Sequence, residues 1–73
     1  MNTLPLRGEH ITLAQALKVV GQAGSGGQAK HLVRDGQVTV NGVVETQPGR
    51  KLHDGDRFQA AGGTECTVRR EKE

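Results

Sequence analysis

The hydrophobic residues near the start of the chain recur with the period of an α-helix. Four of them take the i, i+3, i+4, i+7 spacing of one buried helix face: Leu13, Ala16, Leu17 and Val20. Thr12 stands just before them and Gln15 follows three residues later, which is the pattern of a capping box at a helix start. Gly21 and Gly24 then supply the left-handed backbone at which helices often end. The pattern predicts a first helix of about two turns.

A second helix is predicted after Ser25, because Ser25 and Gln28 repeat the capping-box spacing. Asp35-Gly36 is the predicted end of this helix. The helix is amphipathic. Its apolar side is formed by Ala29, Leu32 and Val33, and its polar side by Gly27, Lys30, His31 and Arg34.

Beyond residue 36 the hydrophobic period changes to two, which is typical of strands. Val38 and Val40 fall on one face, and Val43 and Val44 begin a return strand. Asn41-Gly42 between them is a strong hairpin signal, because a type I′ turn needs two positive φ angles. The remaining predicted elements are turns at Pro48-Gly49 and Asp54-Gly55 and short strands around residues 57–59 and 66–68, which Gly62-Gly63 separates.

With 73 residues, of which 33% are hydrophobic, the chain is expected to form one small domain without internal repeats. Residues 11–68 are predicted to be that domain. Residues 1–10 show no sustained period and are predicted to be a lead-in arm with room for a short strand. The mixed charges of residues 69–73 are typical of a solvated C-terminal tail.

The single cysteine, Cys66, excludes an intramolecular disulfide, and the N-terminus lacks the pattern of a secretory signal. No apolar run approaches the roughly 20 residues that cross a bilayer. These features predict a cytoplasmic, soluble protein with no membrane association, and we expect a monomer.

Metal binding and catalysis are disfavoured by the residues that could support them. The three histidines and Cys66 match no closed zinc motif, and Cys66 takes an alternating strand position that indicates packing. The glycine-rich stretch at residues 24–27 lacks the G-x-x-x-x-G-K-[ST] pattern of a phosphate loop. We therefore predict no metal, no cofactor and no enzymatic activity.

Two features of the second helix indicate an anionic ligand instead. Gly26 and Gly27 occupy its first turn, although glycine in a helix costs about 1 kcal/mol relative to alanine. Glycine lets an anion approach the free N–H groups of a helix start, and tight packing against the first helix is the alternative explanation. Lys30 and Arg34 are like-charged neighbours on the polar side. Anion binding is therefore favoured over an ordinary solvated face.

The charge distribution and the scarcity of aromatic residues narrow the choice of anion. The formal net charge is +2, and Phe58 is the only aromatic residue among Phe, Tyr and Trp. Modules that stack single-stranded bases on aromatic side chains are disfavoured. Folded RNA, read through its phosphates and groove shape, fits better. Between residues 25 and 51 the cations Lys30, Arg34, Arg50 and Lys51 outnumber the anions Asp35 and Glu45.

Two segments, "ITLAQALKVVG" and "GQAKHLVRDGQVTVNGVVETQPGRKLHDGDRF", resemble a known family. Residues 11 to about 59 are similar to the S-four-like RNA-binding domain, the αL motif of the small-subunit ribosomal protein, pseudouridine synthases and bacterial tyrosyl-tRNA synthetases. The resemblance is strongest to its stand-alone bacterial form, the YbcJ-like proteins. The most specific match is Gly36-x-Val38-x-Val40-Asn41-Gly42, followed by Gly55-Asp56.

The resemblance implies a compact α+β fold in which two short helices pack on a small, mostly antiparallel sheet. It also implies structured RNA, rRNA or tRNA, bound against the second helix and the adjoining loops, whose cations we expect to border one surface. Many family members begin this helix with a serine-arginine pair, whereas this chain has Gly27-Gln28 and so one cation fewer. The implied RNA-binding residues are Ser25, Gly27, Gln28, Lys30, His31, Arg34, Arg50 and Lys51.

Two other functions compete with RNA binding. A β-grasp sulfur carrier is suggested by the size, the hairpins and Gly62-Gly63, but such carriers need a terminal Gly-Gly and here ten residues follow. A small adaptor could use the same basic face for an acidic protein partner. RNA binding remains the preferred hypothesis because it accounts for both the glycines and the family resemblance.

Overall fold

The computed structural model describes residues 2–71, which form two helices and seven strands. Helices α1 (Leu13–Val19) and α2 (Gly26–Arg34) follow each other between the second and third strands. The strands are β1 (Thr3–Leu6), β2 (Ile11–Thr12), β3 (Val38–Val40), β4 (Val43–Val44), β5 (Lys51–Leu52), β6 (Arg57–Ala60) and β7 (Cys66–Arg70).

Five strands form one sheet in the order β1-β7-β6-β3-β4, while β2 and β5 pair in a separate antiparallel ladder. In the larger sheet β1 and β7 run parallel, and every other neighbouring pair is antiparallel. The predicted α+β fold with a mostly antiparallel sheet is therefore confirmed. No helix within residues 2–71 has the length and apolar character needed to span a bilayer.

Both helices begin where the sequence predicts. At α1 the Thr12 hydroxyl oxygen accepts the Gln15 N–H (3.3 Å), and the Gln15 side chain reaches back to the Thr12 N–H, which confirms the capping box. At α2 the Ser25 hydroxyl oxygen accepts the Gln28 N–H (3.1 Å). The Gln28 side chain, however, accepts from Gly24 rather than from Ser25. The backbone of Ser25 is also more extended than that of Thr12, with φ angles of −158° and −74°.

The predicted β3–β4 hairpin is confirmed, with Val40 opposite Val43. Asn41 and Gly42 have φ angles of 53° and 83°, the two positive values that a type I′ turn requires. In residues 2–71 Asn41 is the one non-glycine residue with a positive φ. Its side chain also accepts the Arg57 N–H (3.0 Å), so the turn is tied to the neighbouring strand β6.

One hydrophobic core joins the two helices to the inner face of the sheet. Cys66 is buried within it, as its alternating position predicts. The largest fully buried side chains are Phe58, Leu13, Leu17, Leu52, Val33, Val38, Val68 and Cys66. The helices are therefore held on the sheet by the apolar faces that their periodicity defines.

The folded unit begins earlier than the predicted boundary at residue 11. β1 pairs with β7 inside the predicted arm, and both Leu4 and Leu6 are buried in the core. Because β7 lies about 60 residues further along the chain, no local sequence pattern predicts that it pairs with β1. Arg69 and Arg70 of the predicted tail are likewise part of β7, whereas residues 72 and 73 of that tail lie outside the described residues.

Candidate nucleic-acid interface

A groove of about 350 Å³ opens where the starts of α1 and α2 meet the loop between β4 and β5. The loop is fixed to α1 by its backbone, because the Arg50 carbonyl accepts the Leu13 N–H (2.8 Å) and the Pro48 carbonyl accepts the Ala14 N–H (3.1 Å). The groove is lined by Thr12, Ala14, Gln15, Lys18, Gly26, Lys30, Pro48 and Gly49.

The two helices differ in the hydrogen bonding of their first N–H groups within residues 2–71. Those of α1 donate to carbonyls of the β4–β5 loop, whereas two of those of α2 have no acceptor. The Gln28 N–H is used by the Ser25 cap, but the N–H groups of Gly26 and Gly27 have no acceptor anywhere in residues 2–71. Unpaired N–H groups at a helix start carry the positive end of the helix dipole. They can therefore donate hydrogen bonds to an anion at the protein surface.

The packing explanation for the two glycines is wrong. A Cβ added at Gly26 would meet nothing within 4 Å, and at Gly27 it would meet only the Ser25 hydroxyl oxygen at 4.0 Å. Neither residue has a positive φ. Within residues 2–71, therefore, neither packing nor backbone conformation requires glycine at these two positions.

Cations extend this positive site along α2 and across the groove. Lys30 lines the groove together with Lys18 of α1, and Arg34 lies one turn further along the exposed side of α2. None of these three side chains forms an ion pair with a residue between 2 and 71. We call Gly26, Gly27, Lys30 and Arg34 the α2 strip.

His31 and the two capping residues are already engaged. The His31 Nε2 atom lies 3.2 Å from the Asp35 carboxylate, which forms an ion pair when the imidazole is protonated. Ser25 and Gln28 use their side-chain oxygens to hold the start of α2, as described above. Their observed contacts thus position the backbone of the α2 strip.

The predicted loop cations Arg50 and Lys51 are not among the residues that line the groove of the α2 strip. Arg50 donates to Glu45 at 2.7 Å, and this hydrogen bond holds the pKa of the Glu45 carboxyl below its usual range. Lys51 lines a different groove, formed with Glu9, His10, His53, Asp54 and Arg70. In that second groove the His10 and His53 rings are 6.1 Å apart, and no group of three or more candidate metal ligands is found within residues 2–71.

Lys18 is a cation of the groove that the sequence alone did not indicate. It lies three residues after Gln15, so the two share one side of α1, and both line the groove. This spacing is the signal that could have found it. Whether Lys18 lines the groove depends on which side of α1 faces the start of α2, and the packing of the two helices decides that.

Comparison with known proteins identifies the family of the chain. The S4 domain family model matches residues 4–69. The chain belongs to the S4 domain family. The S4 match extends to Leu4 and so includes part of β1, in agreement with the burial of Leu4 and Leu6.

Relatives of this S4 protein come from several bacteria. It is 42% identical over 53 residues to the "Putative RNA-binding protein YbcJ" of Escherichia coli (strain K12), covering 73% of this chain and 76% of the relative. It is 38% identical over 61 residues to the "Probable ribosome maturation protein RlbA" of Bacillus subtilis (strain 168), covering 84% and 86%.

A solved structure supports the same assignment. The solution structure of YbcJ from Escherichia coli superposes with a TM-score of 0.71 and 37% identity, covering 94% of this chain and 87% of the other. That structure is described as revealing an αL motif involved in RNA binding. The resemblance to S-four-like, YbcJ-like proteins is therefore confirmed.

Proposed function

We propose that this S4-family protein binds folded RNA through phosphate contacts at the N-terminus and exposed face of α2. One observation carries this proposal: the N–H groups of Gly26 and Gly27 have no acceptor within residues 2–71, and they lie beside Lys30, which has no ion-pair partner there. The names of the YbcJ relative and of its structure refer to RNA binding, which supports the same conclusion.

In this proposal one phosphate accepts hydrogen bonds from the Gly26 and Gly27 N–H groups. Lys30 neutralises the same phosphate or its neighbour, and Arg34 contacts the backbone one turn further along α2. Lys18 faces the RNA from the opposite side of the groove. The protein acts by binding alone, so these contacts set its position on the RNA without reading the bases.

Ribosomal RNA is the first RNA to test. The Bacillus subtilis relative is named as a ribosome maturation protein, and tRNA is the second candidate. Both fold into A-form helices, whose backbone and shallow groove are recognised largely by shape. This mode suits a chain with a single Phe and no Trp or Tyr.

The deciding experiment is a salt titration of RNA affinity. Each neutralised phosphate adds about 0.7 to 0.9 to the slope of log affinity against log salt, so three or four contacts give a slope near −3. Folded rRNA and tRNA fragments should show this slope, and an unstructured polyuridine of equal length should bind more weakly.

Polyglutamate serves as the control for an acidic protein partner. A flat salt dependence, stronger binding to polyuridine, or equal affinity for polyglutamate would contradict the proposal. The last outcome would instead support the adaptor function considered in the sequence analysis.

A further inference from the structure

The groove beside the α2 strip has a composition that phosphate binding alone does not explain. Its lining combines the apolar residues Ala14 and Pro48 and the backbone of Gly49 with the cations Lys18 and Lys30. A phosphate interacts with the cations but gains nothing from the apolar residues. A ligand with apolar faces next to a negative charge satisfies both parts.

We propose that this groove receives one unpaired nucleobase of an RNA whose backbone lies on the α2 strip, an inference that rests on the proposed function. A nucleobase is flat and has apolar faces, and in RNA it is flanked by two phosphates. Lys30 belongs both to the groove and to the α2 strip, so a base in the groove and a phosphate on the strip are adjacent. The volume of about 350 Å³ lies within the range of small-ligand sites.

The base must be unpaired because bases inside an A-form helix are stacked and their deep groove is closed to side chains. The binding mode also differs from that of single-strand modules, which stack successive bases on several aromatic side chains. This groove offers one site and no aromatic ring, so it suits a single bulged or looped-out nucleotide within an otherwise folded RNA.

Gln15 provides a polar partner for the edge of such a base. Its Oε1 atom accepts from both the N–H and the hydroxyl of Thr12, at 3.5 and 3.1 Å. Its side-chain NH2 group has no acceptor within residues 2–71. Held in place by Thr12, this group is a fixed donor for a carbonyl or ring-nitrogen acceptor on the base edge.

Gly49 is a lining residue of the groove at which a side chain can be added. A Cβ there would meet no atom of residues 2–71 within 4 Å, and the φ of Gly49 is not positive. Gly49→Leu therefore adds a bulky side chain at the groove without a clash in the fold, and it changes no residue of the α2 strip. Thr46→Leu is the matched control, because Thr46 is an exposed residue of the same loop that does not line the groove.

The test compares two RNA hairpins that differ by one bulged nucleotide. The unaltered protein should bind the bulged hairpin about tenfold more tightly than the fully paired one, the size expected for one base contact. Gly49→Leu should reduce this preference to about twofold or less while keeping the salt slope, and Thr46→Leu should preserve the full preference.

The outcomes separate the inference from the proposed function. Equal affinity of the unaltered protein for both hairpins, with the salt slope retained, overturns the nucleobase site and leaves phosphate binding standing. An undiminished preference in Gly49→Leu, with its thermal unfolding unchanged, also overturns it. If neither hairpin binds with a salt dependence, the proposed function fails as well.

Discussion

Gly26 and Gly27 place at the start of α2 two N–H donors that have no acceptor within residues 2–71, and no packing contact in that range requires glycine at either position. Each glycine costs a helix about 1 kcal/mol relative to alanine. A side chain at either position would meet open space, so the fold tolerates one. What a side chain would remove is the close approach of another molecule to the backbone.

Gly27→Val should therefore weaken RNA binding without destabilising the protein. Losing one hydrogen-bonded phosphate corresponds to about a tenfold loss of affinity. Valine has a helix propensity slightly better than that of glycine, so the thermal unfolding temperature should stay level or rise. Affinity and unfolding are measured on the same samples, with Gly27→Ala as a smaller step. Full affinity in the valine variant would show that no phosphate reaches this backbone.

The two helices differ because only one of them has a loop over its start. Carbonyl groups of Pro48 and Arg50 take the first N–H groups of α1, whereas nothing in residues 2–71 takes those of Gly26 and Gly27. The same loop carries Arg50, whose charge is matched by Glu45. On α2, by contrast, Lys30 and Arg34 form no ion pair with any residue between 2 and 71.

Replacing Lys30 and Arg34 together with glutamine should lower RNA affinity by at least about tenfold and flatten the salt slope by about 1.4 to 1.8, since two phosphate contacts are lost. The effect should be similar for many RNA sequences. Relief of the repulsion between the two cations should stabilise α2 by a few tenths of a kcal/mol.

The double variant of Arg50 and Lys51 is the comparison. Because Arg50 is paired with Glu45 and Lys51 lines another groove, glutamine at both positions should reduce affinity by only about twofold. An equal loss in the two double variants would mean that the loop cations share the RNA surface. No loss in either would make the exposed side of α2 ordinary solvated surface.

Asp56 ties two turns together and makes stability depend on pH. Its carboxylate accepts the His53 N–H (2.8 Å) and the Asn41 side-chain amide (3.2 Å). Burial raises the pKa of Asp56, but these hydrogen bonds together with the charges of His53 and Arg50 outweigh it and hold the pKa below the ordinary value of 3.8. A carboxyl with a depressed folded pKa stabilises the protein above its unfolded pKa, and this contribution is lost as the pH falls through the folded value.

Asp56→Asn should accordingly lower the free energy of unfolding by about 1 to 2 kcal/mol near neutral pH. The unaltered protein should lose stability as the pH falls below about 4 and Asp56 becomes protonated. The variant should lack this part of the loss. Denaturant unfolding at several pH values measures both effects. Glu65→Gln is the control, because Glu65 is exposed and only loosely paired with Arg57 (3.9 Å). Identical pH profiles for Asp56→Asn and the unaltered protein would contradict the assignment.

At the scale of the whole molecule, the first and last strands of the described residues pair with each other at one edge of the sheet. β1 pairs in parallel with β7, with Thr3 opposite Thr67, and β1 contributes Leu4 and Leu6 to the core. A domain of this size has a small margin of stability, about 0.05 to 0.15 kcal/mol per residue. The N-terminal strand is thus expected to be essential for folding.

Leu6→Ala should lower the free energy of unfolding by about 2 to 5 kcal/mol, the usual cost of removing a fully buried leucine. Val43→Ala should change it by less than about 0.5 kcal/mol, since Val43 is 69% exposed on β4. Denaturant titration compares the two variants. Equal and small effects would mean that residues 1–10 form a detached arm after all.

The sequence by itself determined the features whose physical cause lies within about four residues. The Thr12 and Ser25 caps hydrogen-bond to groups three residues away, and the Asn41-Gly42 turn depends on the φ angles of those two residues. Helix faces followed from periodicity in the same way. The candidate phosphate site at Gly27 and Lys30 was also predictable, because its residues belong to one short helix.

Tertiary structure decided the features that join distant residues. Only folding places Thr3 opposite Thr67, sets Lys18 and Lys30 in one groove, and fixes the Pro48-Gly49 turn beside them. Only folding shows that the charge of Arg50 is matched by Glu45. The spacing of residues along the chain predicts local hydrogen bonds and the buried faces of helices. Contacts between distant residues depend instead on how the helices and the sheet pack around their shared core.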